Sequence, residues 1–383
     1  MKSPEARRPT AGSARPRRPP DSAPARGGGT SPLSLPASRT RAARTTGARI
    51  RRPSPAPAPA RHPAPDHGPP GGVAADPLLT GPAPTPQSSN EQKTSFTIRN
   101  LLRSPMEGRA VAVVSSDRFT VNASILFTEL PLLERPAAAA AAGFDKIELW
   151  WPWVDAPVPE PAELDALRGA LEDAQVQLTG LNFYAGQLPG PDRGALSVPG
   201  EESEKFRANI DVTADFARSV GCKALNALYG NRVEGASEAE QDALALENLG
   251  LAARAADRVG AVLLVEALNA PESPECPLVS APRALEVVDA VNTATGLDNA
   301  RFLMDLYHLS MNGEDLPAVI ENSLDRTAHV QIADNPGRGA PGTGSLDFGD
   351  LFERLDKAGY DGLIGLEYKP GDNGSAASFG WLK

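Results

Sequence analysis

The sequence predicts a parallel (β/α)8 barrel preceded by a disordered Pro/Arg-rich leader, and three observations carry that prediction. A short apolar or β-branched run, a polar loop and a helical stretch recur in that order eight times from about residue 119 onward. Gly143, Gly221, Gly260, Gly296 and Gly359 stand where helices should stop, as expected of left-handed caps before the next strand. The 273 residues from 111 to 383 also match the length of one such barrel, which needs roughly 250.

The units follow in order. "FTVNASI" (119–125) leads into "LPLLERPAAAAAAG", and "KIELWW" (146–151) leads into "PAELDALRGALEDAQ". "VQLTGLNFYAG" (176–186) precedes a helical stretch in which Phe206, Ile210, Thr213 and Ala217 recur at helical spacing. The remaining strands are "KALNALYG" (223–230), "AVLLVEALN" (261–269), "RFLMDLYHLS" (301–310), "AHVQIADN" (328–335) and "GLIGLEYKP" (362–370). Only "GDNGSAASFGWLK" follows the eighth, so a short last helix and a weaker seal on the barrel are expected there. An open doubly wound sheet shows the same βαβα order, and the placement of polar residues must decide between the two.

Composition divides the chain. Residues 1–110 hold 18 Lys+Arg against 6 Asp+Glu and 21 of the 38 prolines, whereas residues 111–383 hold 20 basic and 42 acidic residues. Prolines remove backbone donors, and so few apolar residues do not offset the entropy of ordering, so 1–110 reads as a disordered low-complexity leader and 111–383 as the barrel domain. The proline density excludes the amphipathic helix of an organelle transit peptide, leaving a tail that clings weakly to polyanions or a translation start placed too far upstream. No apolar run reaches the roughly 18 residues of a membrane span, and no signal-peptide core opens the chain, so a cytoplasmic protein is expected. Cys222 and Cys276 are the only cysteines and show no CxxC spacing, which indicates neither a disulfide framework nor a thiolate zinc site.

Four polar residues interrupt the late apolar runs: Glu266 in "LLVEALN", Asp305 in "FLMDLYH", Gln331 in "HVQIADN" and Glu367 in "IGLEYKP". Each is one strand-helix unit from the next, so strands five to eight of a closed barrel would present them as neighbours at the C-terminal ends, where catalytic groups of this fold project. One carboxylate near a strand end is more often a structural ion pair. Three buried together are costly unless a cation or protons compensate. With the amide oxygen of Gln331 they form an all-oxygen set suited to a hard divalent cation, Mg²⁺ or Mn²⁺. His308 and His329 are the only histidines after residue 110, too few for a His-rich zinc site.

The glycines of "NPGRGAPGTGS" invite a phosphate-loop reading, but no lysine stands at the required place, and "GRGAPG" follows its strand only after several polar residues. The stretch reads instead as a rim loop whose glycines let backbone approach a small ligand. Trp150, Trp151 and Trp153 of "IELWWPW" read as core or rim packing.

"EALN", "MDLYHLS", "HVQIADNPGRGAPGTGSLDF" and "GLEYKP", with "FTEL…ERPAAAAAAGFDKIELWWPW" before them, resemble hydroxypyruvate isomerase of the xylose-isomerase-like TIM-barrel superfamily, from about residue 118 to near the C-terminus. Related sugar epimerases carry histidine as the strand-seven ligand, and glutamine here points to the hydroxypyruvate isomerase branch. The resemblance implies a metal-dependent isomerase that interconverts hydroxypyruvate and tartronate semialdehyde (2-hydroxy-3-oxopropanoate) through an enediol. It implies Glu266, Asp305, Gln331 and Glu367 as metal ligands and Glu266 and Glu367 as the proton-transfer pair. His308 and Arg338 would contact substrate oxygens, whereas His329 reads as a core histidine.

"PESPECPLVS" (271–280) departs from the Gly-Phe-Phe type of loop that the family carries after strand five, and keeps a 2-oxo-tetronate or other small sugar acid open as substrate. An endonuclease-type barrel would use more histidines, and the acidic domain speaks against a nucleic-acid partner. A non-catalytic sugar-acid-binding barrel would not need four intact ligands. The expected partner is a small hydroxy or oxo acid, with no membrane; a homo-oligomer is compatible with the sequence, which does not fix the oligomeric state.

Overall fold

A computed structural model of the chain describes residues 116–382, so the leader predicted over 1–110 lies outside the described residues. Eight strands form the centre: β1 (Phe119–Asn122), β2 (Lys146–Leu149), β3 (Gln177–Asn182), β4 (Ala224–Asn226), β5 (Val262–Glu266), β6 (Ala300–Asp305), β7 (Thr327–Ile332) and β8 (Ile364–Leu366). Each pairs in parallel with the next, and β1 pairs with both β2 and β8, through Val121 opposite Ile147 and Leu366. The barrel is therefore closed, which decides against the open doubly wound sheet.

Local chemistry sets the helices that return the chain between strands. α1 (Arg135–Ala141) is a short alanine helix that ends before Gly143 at φ 96°. α2 (Pro161–Ala174) starts with proline in its first turn and a capping box between Glu160 and Glu163. α3 (Glu201–Val220) buries Phe206, Ile210, Ala214 and Ala217 along one stripe and stops at Gly221, φ 74°. α4 (Glu238–Arg258) opens with the reciprocal pair Ser237 and Glu240, and α5 (Ala281–Thr295) closes on Gly296 at φ 71°. α6 (Leu306–Met311) and α7 (Leu316–Ser323) share the crossover from β6, and α8 (Phe348–Lys357) buries Phe348, Leu351, Phe352 and Leu355. None of the described helices is long and apolar enough to cross a membrane.

The weak seal expected after β8 is corrected by the packing. The closing segment is short, a 3-10 helix over Ala376–Leu382, yet its aromatics fill the gap. The Phe379 ring lies 4.6 Å from that of Phe144 and 6.0 Å from Phe127, and Trp381 meets Phe119 edge-on at 5.5 Å. Aromatic area substitutes here for helix length.

The polar residues concentrate at one end of this barrel. Asn122, Asn182, Asn226, Glu266 and Asp305 are each the last residue of their strand, Gln331 is the penultimate residue of β7, and Glu367 follows β8 directly. All seven are buried.

Candidate active site at the barrel mouth

The β5–β8 half supplies the charge. One ligand atom from each of Glu266, Asp305, His308 and Glu367 lies within 4.8 Å of the others. Burial pushes the Glu266 carboxyl well above the usual glutamate range, with Glu367 and Asp305 adding repulsion. Burial raises Asp305 as well, and lifts Glu367 to about 7 even though Arg338 works in the opposite direction. This is the signature of carboxylates held together with only partial compensation, from Arg338.

Each carboxylate is oriented by donors. Glu266 Oε2 accepts from Asn226 Nδ2 at 2.8 Å. Glu367 Oε1 accepts from Asn122 Nδ2 at 2.9 Å and from the Trp150 indole N–H at 2.8 Å, while Arg338 pairs with Oε2. Asp305 Oδ1 caps α6 by accepting from the backbone N–H of Tyr307 (2.7 Å) and His308 (3.3 Å), and Oδ2 is turned toward His308 Nε2, 3.5 Å away. Capping thus fixes the side chain and leaves one oxygen for the site.

Gln331 completes the group. Its Nε2 donates to Glu148 Oε1 at 2.6 Å, and its Oε1 is buried with no hydrogen-bond partner, a state shared by Asn226 Oδ1. Gln331 stands opposite Asp305 in the β6–β7 pairing, and an orphaned buried amide oxygen is costly by itself and suits the donor set of a hard divalent cation.

His308 has a different chemistry from its neighbours. The backbone N–H of Asn269 points at Nδ1 at 3.2 Å, and a backbone amide can only donate. Burial, with Arg338 and Arg193 nearby, holds the ring well below the usual imidazole range. The neutral ring therefore carries its proton on Nε2, which faces Glu266 Oε1 at 3.6 Å and Asp305 Oδ2 at 3.5 Å. Although Nε2 lies close enough to belong to the ligand cluster, this tautomer makes it a donor to an oxygen.

Arg338 adopts φ 57°, an uncommon backbone conformation for a non-glycine residue, and its guanidinium lies 5.3 Å from the centre of the Tyr307 ring. The loop that presents it is built around Asp334. That fully buried carboxylate accepts from the backbone N–H of Gly342 and Gly344, both at 2.8 Å, and of Leu346 at 3.1 Å. A Cβ on Gly344 would sit 2.6 Å from Asp334 Oδ1. The glycine-rich stretch thus wraps an internal carboxylate, which corrects the expectation that its glycines bring backbone to a ligand.

These residues enclose a cavity of about 150 Å³ lined by Trp150, Asn182, Glu266, His308, Arg338 and Glu367, among others. A larger cavity of about 620 Å³ shares Trp150 and Arg338 with it and extends to Lys369. Glu266, His308, Arg338 and Glu367 line this cavity, Asp305 joins three of them in the ligand cluster, and Gln331 stands opposite Asp305 in the β6–β7 pairing, while His329 is buried with Nε2 2.6 Å from Glu148 Oε2, as expected of a core histidine. Trp150 departs from the packing role expected of it, whereas Trp151 and Trp153 do pack, 5.0 Å apart. The sequence reading passed over Asn122, Glu148, Asn182 and Asn226, and also Glu272, which accepts from Asn269 Nδ2 at 2.8 Å and Tyr307 Oη at 3.2 Å. The asparagines carried the same signal as the carboxylates, a polar residue ending an apolar run.

The chain belongs to the xylose isomerase-like TIM barrel family, whose family model matches residues 136–383. A protein of Streptomyces coelicolor, provisionally named a hydroxypyruvate isomerase, is 78% identical over 268 residues, 70% of this chain and 96% of its own. Hydroxypyruvate isomerase of Escherichia coli is 33% identical across 66% of this chain and 93% of its own. The chain is thus a hydroxypyruvate isomerase-like enzyme. The 2-oxo-tetronate isomerase of Cupriavidus necator is also 33% identical, over 70% of this chain and 97% of its own. Among solved structures, an AP endonuclease of family 2 from Brucella melitensis superposes with a TM-score of 0.62 at 31% identity, covering 70% of this chain and 98% of that one.

Proposed function

We propose that the enzyme interconverts hydroxypyruvate and 2-hydroxy-3-oxopropanoate by moving a proton between adjacent carbons through an enediol. The observation that carries this reading is the pair Glu266 and Glu367, two buried carboxyls with raised affinity for protons that line one small cavity. A base for a weakly acidic carbon works best when its pKa lies near the operating pH, and burial moves glutamate in that direction.

In the forward direction, one carboxylate takes a proton from the hydroxymethyl carbon of hydroxypyruvate, and the electron pair forms the carbon–carbon double bond of the enediol. The other gives a proton to the former carbonyl carbon, and the hydroxyl proton passes from one oxygen to its neighbour. His308 Nε2–H donates to a substrate oxygen, and Arg338 balances negative charge on the substrate while restraining Glu367. Trp150 lines the cavity and limits water at the reacting carbons. Glu266, Asp305, Gln331 and Glu367 would hold a divalent cation, Mg²⁺ or Mn²⁺, which when bound supplies positive charge against that developing on the enediolate oxygens. The orphan oxygen of Gln331 and the carboxyls, raised despite Arg338, support that assignment.

A 2-oxo-tetronate is the competing substrate, favoured by the larger cavity that opens beside Trp150 and Arg338. The test is kcat/KM for each acid with the metal-loaded full chain. A higher value for hydroxypyruvate is expected, and the reverse order would replace the substrate while retaining the enediol chemistry.

A further inference from the structure

Glu148 lies outside the ligand set, yet it is the group on which the set's one uncharged member depends. We infer that Glu148 is a positioning residue that fixes which end of the Gln331 amide faces the ligand cluster, an inference that rests on Gln331 being a ligand.

The two ends of a primary amide are nearly equal in size, so packing alone does not distinguish them. In Gln331 they have opposite consequences. With the oxygen inward, the side chain offers a lone pair to a cation; with the NH₂ inward, it would donate to the carboxylates and occupy the cation's place. Among three buried carboxylates the second arrangement is the one an unrestrained amide would choose.

Glu148 reverses that preference. Its carboxylate collects side-chain N–H groups: Gln331 Nε2 at 2.6 Å and Asn122 Nδ2 at 3.3 Å on Oε1, with His329 Nε2 at 2.6 Å from Oε2. With Nε2 donating to Glu148 Oε1, the NH₂ end of the amide is turned to Glu148 and Oε1 points away from it. Oε1 accordingly has no partner among the described residues.

The barrel makes room for this arrangement. A Cβ on Gly365 would lie 2.7 Å from Glu148 Oε1 and 2.8 Å from Gln331 Cγ, and one on Gly180 would lie 3.1 Å from Glu148 Cβ. Side chains at either position would crowd the path by which Glu148 reaches from β2 to β7. Asn122 links the same carboxylate to Glu367, so the anchor also touches the network of a second proposed ligand.

A double-mutant cycle tests this on the full chain, with Mn²⁺ binding to metal-stripped protein read by titration calorimetry and folding by circular dichroism. Glu148→Met removes the acceptor at similar volume and is expected to weaken Mn²⁺ binding about 10–100-fold, the usual scale for partners of metal ligands. Gln331→Glu presents oxygen at both ends of the side chain and no longer needs orienting. In that background Glu148→Met is expected to leave Mn²⁺ affinity unchanged or to raise it by relieving repulsion between two carboxylates. Equal losses in both backgrounds would make Glu148 merely structural and overturn the inference, as would unchanged binding in Glu148→Met alone.

Gln331→Ala separates the two readings. Undiminished Mn²⁺ binding there would remove Gln331 from the ligand set and the orienting role with it, whereas weakened binding there with an additive cycle would remove the orienting role alone. If Glu148→Met does not fold, Glu148→Gln carries the cycle, with a smaller loss expected because one oxygen remains to accept, and with the same cancellation when Gln331→Glu is added.

Discussion

The two halves of the barrel mouth do different work. Strands β5 to β8 end in Glu266, Asp305, Gln331 and Glu367, whereas β1, β3 and β4 end in Asn122, Asn182 and Asn226, with Trp150 just beyond β2. One half holds the clustered carboxylates, and the other aims neutral donors at Glu266 and Glu367, with the Glu148 carboxylate of β2 also on its side. The halves meet in hydrogen bonds at their two borders, from Asn226 to Glu266 between β4 and β5 and from Asn122 and Trp150 to Glu367 at the end of β8. The difference shows how a fold can hold several carboxylates in place with little neutralisation: amide and indole N–H groups fix Glu266 and Glu367 without adding charge, and Arg338 brings positive charge to Glu367.

The comparison is sharpest when each half is altered in turn. Glu266→Gln or Glu367→Gln is expected to lower kcat by at least about 10²–10⁴-fold, the usual worth of general acid–base transfer, with the circular dichroism spectrum unchanged. Wild-type turnover in either variant would remove that carboxylate from proton transfer. On the opposite half, Asn122→Ala or Asn226→Ala is expected to cost less, about 10–100-fold in kcat/KM, because the carboxylate survives and only its orientation loosens. Equal losses on the two sides would erase the distinction.

Stability should follow the same division. In metal-free protein, burial raises the carboxyls of Glu266, Asp305 and Glu367, so the folded state binds more protons than the unfolded chain and stability falls as pH rises. For Glu367 the loss runs from its ordinary value of 4.5 up through about 7. Tm of the metal-stripped enzyme should therefore drop between about pH 5 and pH 8, and added Mn²⁺ should raise Tm more at pH 8, where its ligands are ionised. A Tm that rises over this range, with a pH-independent shift on adding Mn²⁺, would mean the carboxyls are not held as described. The smallest effect is expected outside both halves. Asp334→Ala leaves three backbone N–H groups of the 342–346 loop without their acceptor, which should destabilise the protein by about 1–3 kcal/mol and raise KM through displacement of Arg338.

The same contrast explains what could be read from sequence. The repeat of apolar runs, helical stretches and terminal glycines defined all eight strands, because a parallel sheet covered on both faces leaves nearly continuous apolar runs. Glu266, Asp305 and Glu367 stood out because carboxylates are rarely buried singly, let alone in successive strands. Asn122, Asn182 and Asn226 also end apolar runs, but asparagine is an ordinary residue at the passage from strand to loop, so the signal is weaker there than for a carboxylate. Nothing local in "KIELWW" distinguishes Glu148, because His329 and Gln331, two of its partners, lie 181 and 183 residues away. Asp334 is likewise not legible locally, since its three acceptor contacts form only when the 342–346 loop folds back.

The most direct test of the central claim is proton NMR of hydroxypyruvate in D₂O with metal-stripped enzyme, before and after Mg²⁺ or Mn²⁺ is added. The account predicts negligible change without the ion, and conversion to 2-hydroxy-3-oxopropanoate with deuterium entering at the reacting carbons once it is restored. Turnover at full rate without any divalent cation, or no exchange at either carbon with it, would contradict the account.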